Sequence, residues 1–583
     1  MKENLITDFL HSNQINNLPK KYLELPVFDK KYNFKKNIIF YKEWNNYKKK
    51  LKDIKENLRL YNYFLDQLTV FLNDHHRRQH SKKYWSIILG PWLWRFISAM
   101  SFKWNLIHSI KKKYIFLKKE IDPKEVIPLG IEDYQKIKNT NYWTHYCYSK
   151  IIEHSFSGKF SIEDDEKLIK NSERDQIYDN LKKKNFREKI SLLIQRILNF
   201  FPQNKKVLIF STYMSNLNEI KLNLLLNKSL LYYKSLRPYL LFKKKKLFQF
   251  ERKNLKTLDF HKDGLEEFLS KELLRCIPSA YLENFESIGN IVNQIPFPKS
   301  PQKIFTTLGI NRSTLMDRYI ARNVESGSSL ILAQHGGSYF QTKLHFSTIY
   351  ELKISDKYLS WGKIKKKNVS PVGVIKDINN SSRVLNKIIV EVRMHKSAYQ
   401  EEIKIDSGFL EGKKFSKNLC KFFSLLKGKK VCENLYVKLH QTKSIWQEKK
   451  QFLSHNPNLK FLDEKKKMIK EISSAKLIIH TCCSSGHLEC LAINKPTLIL
   501  FVHNINLFDD KSKNFIKKFI KLGIVHKTPQ SLFKMLDRLE RSKSIEKWWN
   551  FKKRQKLLKE YRNEFGFFNK EKLSNIRDII NEK

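Results

Sequence analysis

The segment from Ser474 to Phe501 constrains the fold more than any other part of the sequence. It reads as a buried strand, a turn of small residues, a short helix and a second buried strand. The apolar runs Leu477 to Ile479 and Thr497 to Phe501 are continuous, which is typical of parallel strands covered on both faces. A strand, a helix and a strand in this order predict a βαβ unit of a parallel sheet.

The turn of this unit has the chemistry of a phosphate site. Hydroxyls and backbone N–H groups lie at the start of the helix, where the helix dipole favours an anion. We expect Thr481, Ser484, Ser485 and Gly486 to hold the phosphate there. Glu489 follows about one helical turn after Ser485 and can face a bound sugar. An ordinary βαβ crossover with a capped helix is the alternative interpretation.

The chain is long and strongly basic. Its 583 residues favour two to four domains, and its 112 basic against 58 acidic residues give a net charge of +54. Such a charge would attract polyanions or an anionic membrane surface. The lysines, however, are spread through the chain in short runs such as 243–246 and 365–367. This pattern indicates solvated faces, so we expect no specific nucleic acid partner.

Cysteine usage and hydropathy indicate the compartment. Seven cysteines without a paired CxxC spacing argue against a disulfide framework and a zinc site, so no metal is expected. No secretory signal and no run of about 20 apolar residues is present, which predicts a cytoplasmic protein, with peripheral contact at the inner membrane as an extension. The apolar stretch Tyr84 to Ser98 contains Gly90-Pro91, and it predicts a buried strand or turn followed by a helix start.

The order of predicted elements indicates an α/β protein. Predicted strands at 207–210 and 329–333, and at 387–392, 435–439, 477–479 and 497–501, alternate with helical stretches, which predicts doubly wound, Rossmann-like parallel sheets. A lysine-rich linker separates two domains. The predicted division is 1–365, with a helical elaboration at 34–82 and an insertion at about 240–262, then 366–528, then a helical tail at 529–583 that packs back across the domains.

Three predicted strand ends carry polar residues. Parallel sheets bind ligands outside the carboxyl ends of their strands, so these ends could converge on one cleft. Besides the turn after 477–479, they are Gln334 to Gly337 and Lys438-Leu-His440. Lys438 and His440 alternate about Leu439, so both side chains can point the same way and suit a phosphate. Two solvent-facing polar residues at a strand end are the alternative.

The end of the strand at 329–333 supplies candidates for the acceptor side. Gly336 and Gly337 leave room for a ligand to approach the backbone beside Gln334. His335 stands at the mouth of the predicted cleft and can act as a base. A hydrogen-bonded structural histidine is the alternative, and Glu325 and Asp317 on the preceding helix are alternative carboxylate bases.

Several other chemistries lack their motifs. The chain contains no GxxxxGK[ST] P-loop, no HExxH zinc site and no GxSxG elbow. Cys482-Cys483 is more typical of a turn of small residues than of a reactive thiol. These absences disfavour P-loop phosphoryl transfer, zinc peptidase and serine hydrolase chemistry.

Several motifs in this order resemble the transferases of bacterial surface-carbohydrate (O-antigen) biosynthesis. A more distant similarity links them to Kdo transferases, polysialyltransferases and CDP-glycerol glycerophosphotransferases. The motifs are Gln334-His-Gly-Gly, Asp356-Lys-Tyr-Leu-Ser-Trp-Gly362, Val437-Lys-Leu-His440, Thr481 through Ala492, Ile88-Leu-Gly-Pro-Trp-Leu93 and Trp548-Trp549.

The resemblance implies a GT-B-like fold of two Rossmann-like domains. The first would bind the acceptor, the second a nucleotide-sugar donor, and a C-terminal helix would cross back. By the resemblance, His440 would contact the donor phosphate, and Ser484, Ser485 and Gly486 would hold phosphate or nucleotide. The distant relatives suggest a CMP-linked donor, but Gln441 stands where they have proline, which leaves the nucleotide open.

Together, the strand ends and the resemblance predict a metal-independent glycosyltransferase of GT-B type. It would move a sugar from a nucleotide-activated donor to a surface polysaccharide or its lipid-linked precursor, with a first-domain base deprotonating the acceptor. Three alternatives stay open, of which one is an epimerase that frees nucleotide from its own sugar without any acceptor, and the other two belong to different classes. One is a phosphotransferase that uses a CDP-polyol on the same scaffold, and the other is a non-enzymatic basic protein that binds nucleic acid or anionic membrane.

Overall fold

The protein is described from a computed structural model, and the described residues are 5–7, 22–24, 46–110, 115–118, 126–156, 160–162, 207–227, 252, 255–378, 384–393, 403, 412–440, 447–464, 468–502 and 504–582. The chain divides into two compact units. The first comprises Met1–Thr212, Glu219–Leu330 and Glu401–Ile403, and the second comprises Tyr213–Asn218, Ile331–Gln400 and Lys404–Lys583.

The described strands form three sheets, with the orders β2-β1-β3-β4, β5-β6-β7-β8-β9 and β12-β11-β10-β13-β14-β15. Their bounds are β1 Leu5–Thr7, β2 Tyr22–Glu24, β3 Ile115–Lys118, β4 Phe160–Ile162, β5 Val207–Ile209, β6 Lys303–Thr306, β7 Ser329–Ala333, β8 Lys357–Ser360, β9 Val369–Pro371, β10 Ile388–Glu391, β11 Leu435–Lys438, β12 Lys460–Phe461, β13 Leu477–His480, β14 Thr497–Leu500 and β15 Val525–His526. Neighbours in the first and third sheets pair in parallel, as do β5 with β6, β7 with β8 and β8 with β9.

The helices lie between and after these strands. Their bounds are α1 Tyr47–His76, α2 Lys82–His108, α3 Ile131–Ile137, α4 Asn141–Ser155, α5 Asn216–Asn227, α6 Leu265–Cys276, α7 Phe285–Asn293, α8 Thr314–Glu325, α9 Phe346–Ile354, α10 Gly412–Leu425, α11 Glu448–His455, α12 Met468–Ser474, α13 Ser485–Ala492, α14 Asp510–Lys521, α15 Pro529–Arg541, α16 Ile545–Trp549, α17 Lys552–Phe565 and α18 Lys572–Asn581. Short 3-10 helices occur at Ser279–Tyr281, Lys430–Asn434 and Ile505–Leu507. Parallel sheets with intervening helices confirm the predicted α/β, Rossmann-like fold class.

The third sheet carries the predicted βαβ unit. Strand β13, helix α13 and strand β14 follow one another, and β13 pairs in parallel with β14. Strands β10, β13 and β14 are buried throughout, which explains their continuous apolar runs. One apolar core packs against this sheet, and it includes Ile388, Val390, Leu477, Ile479, Leu498, Phe422 and Leu536.

The second sheet follows the predicted pattern around β7. Helix α8 is capped by Ser313, whose Oγ accepts from the N–H of Met316 at 3.5 Å. The chain then leaves the helix through Gly327, which has a φ of 99° that favours glycine. Strand β7 runs over the predicted residues 329–333.

The first sheet and the N-terminal helices differ from the sequence-based expectations. The predicted helical elaboration at 34–82 holds α1 at Tyr47–His76, while 34–45 lie outside the described residues. The predicted insertion at 240–262 is described only at 252 and from 255 onward, where it has no long element. The four short strands of the first sheet were not predicted, because strands of three or four residues leave little periodicity to read.

The expectation of a strand or turn at Tyr84 to Ser98 is wrong. These residues lie inside α2, which runs through Pro91 without ending. Proline interrupts one helical hydrogen bond, but almost every residue of this helix is buried, so packing outweighs the local preference. In the part of the chain that is described, no helix is long and apolar enough to cross a membrane.

The tail after Pro529 is helical, as predicted, and it packs within the second unit. Helix α17 ends beside Gly362, where an added side chain would collide with the backbone of Glu564. Further along, the N–H of Val374 donates to the carbonyl of Phe567 at 2.9 Å. The tail therefore lies against the chain that follows β8.

Candidate functional site

The third sheet has a topological switch point between β10 and β13. Numbered from β10, its strand order is 3-2-1-4-5-6, and ligands of such sheets bind outside the carboxyl ends where the order reverses. At this point Glu391 and His480 are register partners at the ends of the two strands. The candidate site is therefore built around these two residues and the turn that follows His480.

Helix α13 begins in this turn. Ser484 is its N-cap residue in extended conformation, and Ser485 and Gly486 start the helix. The Ser484 hydroxyl makes no capping hydrogen bond, and its oxygen is buried without a partner among the described residues. A buried hydroxyl without a partner at a helix N-terminus is suited to a ligand oxygen, because both the hydroxyl and the helix dipole favour an anion there.

A buried pair of side chains, Glu391 at the end of β10 and His480 at the end of β13, lies next to the turn. The Nδ1 of His480 lies 2.6 Å from Oε2 of Glu391, and both side chains are buried. Burial alone would raise the pKa of Glu391, but the hydrogen bond and charge of His480, with Arg393 and Lys376 nearby, lower it to about 2. The Nε2 of His480 is buried and has no hydrogen-bond partner among the described residues.

Thr481 and Gly486 hold the turn against β10. The Thr481 hydroxyl donates to the carbonyl of Glu391 at 3.0 Å and accepts from the N–H of Arg393 at 3.2 Å. A side chain at Gly486 would lie 2.6 Å from the Glu391 carboxylate. Glycine is thus required by close packing, and the Thr481 hydroxyl is already engaged within the protein.

Glu489 lies in a buried ion pair. Both of its oxygens accept from the ammonium group of Lys376 at 2.9 Å, and only 3% of its side chain is exposed. Burial raises the pKa of Glu489, although Lys376 opposes this shift. The Lys376 ammonium also lies over the ring of Tyr213, 5.4 Å from its centre. The Glu489 carboxylate, which was predicted to face a sugar, is therefore paired with Lys376, a residue for which the sequence predicted no role.

Lys438 and His440 do not act as a matched pair on β11. Lys438 is buried, and its ammonium group donates to the carbonyls of Asp463 at 2.6 Å and Glu464 at 3.0 Å. Burial lowers its pKa. His440 is exposed and Leu439 is buried, as the alternation requires. The lysine thus fastens a neighbouring loop, while the histidine faces solvent.

The turn after β7 is held by Gln334. Its Oε1 accepts from the N–H of Trp361 at 3.0 Å, and its Nε2 donates to the carbonyl of Gly336 at 2.8 Å. The side chain is buried, so it joins the ends of β7 and β8. Gln334 thus stabilises the turn through buried hydrogen bonds, while His335 stays partly exposed.

His335 adjoins a buried carboxyl group. Its ring lies 3.2 Å from the hydroxyl of Tyr339, which donates to Oε1 of Glu351 at 2.6 Å. The hydroxyl of Tyr358 donates to the other oxygen of Glu351 at 3.1 Å. Burial raises the pKa of Glu351 to about 8, and the two tyrosine hydrogen bonds offset only part of that shift. With 28% of its side chain exposed, His335 is the accessible end of this chain of hydrogen bonds.

Gly337 brings the two predicted turns together. A side chain at this position would lie 2.6 Å from the carbonyl oxygen of Ser484 and 2.6 Å from the nitrogen of Ser485. The turn after β7 therefore packs directly on the N-terminus of α13, within one compact unit. By contrast, a side chain at Gly336 would make only ordinary contacts with the ring of Tyr339.

The two carboxylates proposed as alternative bases have other partners. Glu325 accepts from the N–H of Ser81 at 2.7 Å, and its other oxygen lies 2.5 Å from Nδ1 of His80, so it caps the start of α2. It precedes β7 whereas His335 follows it. Asp317 is fully buried, and burial raises its pKa well above the usual value.

Sequence reasoning missed four charged residues of the site: Glu391, Arg393, His480 and Lys376. The strand 387–392 was predicted, but its charged end was not singled out, although a glutamate and an arginine at the end of an apolar strand were a usable signal. Lys376 offered no pattern of its own. Among the described residues, no group of three or more His, Cys, Asp or Glu side chains is placed to hold a metal ion.

The fold and the site define a Rossmann-like α/β protein with a candidate phosphate site at the switch point of its third sheet. The family model of the LIC12162 family transferases matches residues 20–579 of the sequence, so the chain belongs to this family of transferases. The match confirms the transferase family expected from the motifs. No curated protein sequence matches the chain significantly.

Solved structures resemble the chain only at low identity. A UDP complex of S. aureus MnaA is 11% identical and has a TM-score of 0.34, with 64% of this chain and 95% of that chain covered. UDP-GlcNAc 2-epimerase from Neisseria meningitidis, bound to UDP-GlcNAc, is 12% identical and has a TM-score of 0.34, with 64% of this chain and 98% of that chain covered. MurG of Acinetobacter baumannii is 14% identical and has a TM-score of 0.29, with 51% of this chain and 77% of that chain covered.

Proposed function

We propose that this transferase is a glycosyltransferase of GT-B type that moves a sugar from a nucleotide-activated donor to a surface polysaccharide or its lipid-linked precursor. The observation that carries this proposal is the contact of the His335 turn with the N-terminus of α13, through Gly337 and Ser484. This contact brings the turn of the candidate base His335 against the candidate phosphate site at Ser484. The same proposal assigns residues 1–365 to a domain that binds the acceptor and residues 366–528 to a domain that binds the donor. The helical tail at 529–583 follows them.

The donor phosphate would bind at the start of α13. The unpartnered hydroxyl of Ser484 and the backbone N–H groups of Ser485 and Gly486 offer hydrogen bonds to phosphate oxygens. These groups, the helix dipole and the exposed His440 would stabilise the negative charge of the leaving nucleotide, so that no divalent ion is required. Lys376 and Glu489 would position the sugar. CMP-linked, UDP-linked and GDP-linked sugars are the candidate donors.

His335 would act as the base. As the acceptor oxygen forms its bond to the anomeric carbon, its proton would pass to a ring nitrogen of His335. The bond from the anomeric carbon to the phosphate oxygen breaks, and the nucleotide leaves with that electron pair. Tyr339 and Glu351 hold the ring in place through the hydrogen bonds described above. Gln334, Gly336 and Gly337 would shape the acceptor side.

A panel of nucleotide sugars tests this function. Purified protein is titrated with CMP-, UDP- and GDP-linked sugars and with CDP-glycerol, and thermal shift and calorimetry report binding. We expect one nucleotide sugar to bind, Ser484→Ala to weaken it at least tenfold, and the exposed control Ser326→Ala to leave it unchanged. Failure of every nucleotide sugar to bind would contradict the proposal.

The products then separate the possible reactions. With a bound donor, a glycosidic bond in the product supports sugar transfer. A new phosphodiester bond would indicate the CDP-polyol phosphotransferase instead. Release of nucleotide without any acceptor would indicate an epimerase or hydrolase.

A peripheral position at an anionic membrane surface is also part of this proposal. Near its C-terminus helix α5 buries Asn223 and Asn227, while Leu224 and Leu225 are 47% and 44% exposed. Asn227 turns inward because its side chain pairs with both backbone groups of Val207 on the edge strand β5. The exposed leucines and the net charge of +54 suit the interface of an anionic bilayer.

Vesicle binding tests the membrane contact. The protein should sediment with phosphatidylglycerol vesicles at physiological salt. The Leu224→Glu and Leu225→Glu double variant should sediment with the vesicles several-fold less than the wild type. Equal sedimentation of wild type and double variant would contradict a role for α5.

A further inference from the structure

A cavity of about 430 Å³ is lined by His345, whose ring contacts Tyr339, and it has no role in the donor site described above. Its walls come from the chain after β7, the chain after β8, the start of α14 and the end of α17. All of these segments belong to the second compact unit. Its volume is within the range of small-molecule sites, and the carboxyl ends of parallel strands are where ligands bind.

The charge of this cavity is positive. Lys363, Lys365 and Lys366 line it, and no carboxylate among the described residues pairs with any of the three. The two acids at its wall are already engaged. Glu564 pairs with Lys511 at 2.5 Å, and Asp509 accepts from the N–H of Ser512 at 2.7 Å as the cap of α14. A ligand with a negative group is therefore favoured at these lysines.

Apolar side chains also line the cavity. Phe340, Leu344, Ile349 and Ile364 line it, and Ile349 is 40% exposed. Phe340 and Leu344 both have positive φ, 57° and 53°, a conformation that costs free energy for residues other than glycine. The surrounding chain fixes this turn, since the N–H of Lys343 donates to the carbonyl of Leu507 at 3.0 Å. Two large apolar side chains are thus held in an unfavourable backbone conformation at the cavity wall.

The cavity adjoins the hydrogen-bond chain of His335. His345 lines the cavity, and its ring centre lies 4.9 Å from that of Tyr339. Tyr339 in turn contacts His335 and Glu351. A ligand held in the cavity would therefore be connected to the proposed base His335 through the rings of His345 and Tyr339.

We propose that this cavity binds the acceptor through a phosphate or diphosphate group attached to an apolar chain, with the phosphate at Lys363, Lys365 and Lys366. The apolar chain would lie along Phe340, Leu344 and Ile349. This inference rests on the proposed transferase function, and it selects the lipid-linked acceptor over a free polysaccharide. It accounts for the presence of both lysines and large apolar side chains in the lining of one cavity.

Three probes separate the parts of this ligand. Farnesyl diphosphate carries both the charge and the chain, inorganic diphosphate carries the charge alone, and farnesol carries the chain alone. Calorimetry on the full chain should show saturable binding of farnesyl diphosphate at least tenfold tighter than that of either fragment. Equal affinity for inorganic diphosphate would overturn the role of the apolar side chains, and no saturable binding of farnesyl diphosphate would overturn the site.

Matched variants test the residues. The triple variant Lys363→Gln, Lys365→Gln and Lys366→Gln should weaken farnesyl diphosphate at least tenfold. The control triple variant Lys414→Gln, Lys417→Gln and Lys421→Gln removes the same charge from exposed positions of α10 and should change it less than twofold. Equal loss in both triple variants would show a general charge effect and would contradict the site.

Binding of the nucleotide sugar on the same samples separates this inference from the proposed function. The lysine triple variant should keep the wild-type affinity for the nucleotide sugar and the wild-type melting temperature. Ile349→Asn, a neutral substitution at an exposed position, should weaken farnesyl diphosphate without weakening inorganic diphosphate. If the nucleotide sugar binds but farnesyl diphosphate does not, only the acceptor site fails; if no nucleotide sugar binds, the donor site fails.

Discussion

Gly337 lies directly against the backbone of Ser484. No side chain fits at Gly337, because its Cβ would lie 2.6 Å from the Ser484 carbonyl oxygen and 2.6 Å from the Ser485 nitrogen. One glycine thus joins the turn after β7 to the start of α13, which are far apart in sequence. The geometry of the proposed phosphate site therefore depends on a residue of the other turn.

Gly337→Ala should disturb the start of α13. The added methyl group must displace backbone atoms of Ser484 and Ser485, which we expect to weaken binding of the nucleotide sugar at least tenfold and to cost about 1–3 kcal/mol of stability. Gly336→Ala is the matched control, since its Cβ would lie 3.5 Å from the Tyr339 ring. Calorimetry and urea unfolding measure both effects. Similar behaviour of the two variants would contradict the tight contact.

His480→Ala should destabilise the protein in a way that depends on pH. The folded pKa of Glu391, about 2, is below its ordinary value of 4.5. Ionised Glu391 therefore contributes stability above pH 4.5, which is lost as pH falls toward 2. Loss of its partner leaves a buried charge and should cost about 3–5 kcal/mol at pH 7.

Urea unfolding at pH 7 and pH 3 measures this effect. The difference between wild type and His480→Ala should shrink at pH 3, because burial without the partner raises the pKa of Glu391 in the variant, which can then be protonated at pH 3 and avoid a buried charge. The double variant Glu391→Gln and His480→Ala should be more stable at pH 7 than His480→Ala alone. A pH-independent difference would show that His480 acts through packing and not through charge.

Glu351→Gln should change how stability responds to alkali. The folded pKa of Glu351, about 8, is above its ordinary value of 4.5 because the group is buried beside Tyr339, Tyr358, His335 and His345. Its protonated form therefore stabilises the fold below pH 4.5, and this contribution declines as pH rises through 8. Glutamine does not ionise, so the variant should gain roughly 2–4 kcal/mol over wild type between pH 5 and pH 8.

Unfolding free energies from pH 5 to pH 9 check this expectation. The exposed Glu433→Gln serves as the control and should follow wild type. Parallel curves for Glu351→Gln and wild type would mean that Glu351 is ionised in the folded protein at neutral pH.

Tyr561→Phe should loosen the tail from the site. The Tyr561 hydroxyl accepts from Nε2 of Gln341 at 2.8 Å and lies 2.9 Å from Nε2 of His487 on α13. Both partners are buried, so loss of the hydroxyl should cost about 1–3 kcal/mol in urea unfolding. Tyr436→Phe is the control, with a change below about 0.5 kcal/mol expected. Equal stability of wild type and Tyr561→Phe would contradict this role for the tail.

The sequence was sufficient for the βαβ unit and for six strands of the second and third sheets, namely β5, β7, β10, β11, β13 and β14, but not for the short strands β6, β8, β9, β12 and β15. Continuous apolar runs such as Leu477 to Ile479 require burial on both faces, so local pattern and final structure agree there. Pro91 shows the opposite case, because burial of α2 outweighs a local helix-breaking signal. Local pattern predicts elements well where the environment of the segment matches its own preferences.

The partners within the site could not be read from local pattern. The pairing of Glu391 with His480 depends on β10 lying beside β13, which follows from sheet order and not from either strand alone. The ammonium group of Lys438 donates to a carbonyl 25 residues later in the chain, so the alternation of side chains along the strand could not predict this hydrogen bond. Long-range packing decides which polar groups remain for a ligand, and the binding roles of the individual residues stay predictions.

A crystal structure with the nucleotide sugar that binds most tightly tests the central claim most directly. The account predicts a donor phosphate oxygen within about 3 Å of the Ser484 hydroxyl and of the N–H groups of Ser485 or Gly486. His335 would then face the anomeric carbon of the sugar. A nucleotide bound away from the start of α13, for example with its phosphates at Lys363 to Lys366, would contradict the account.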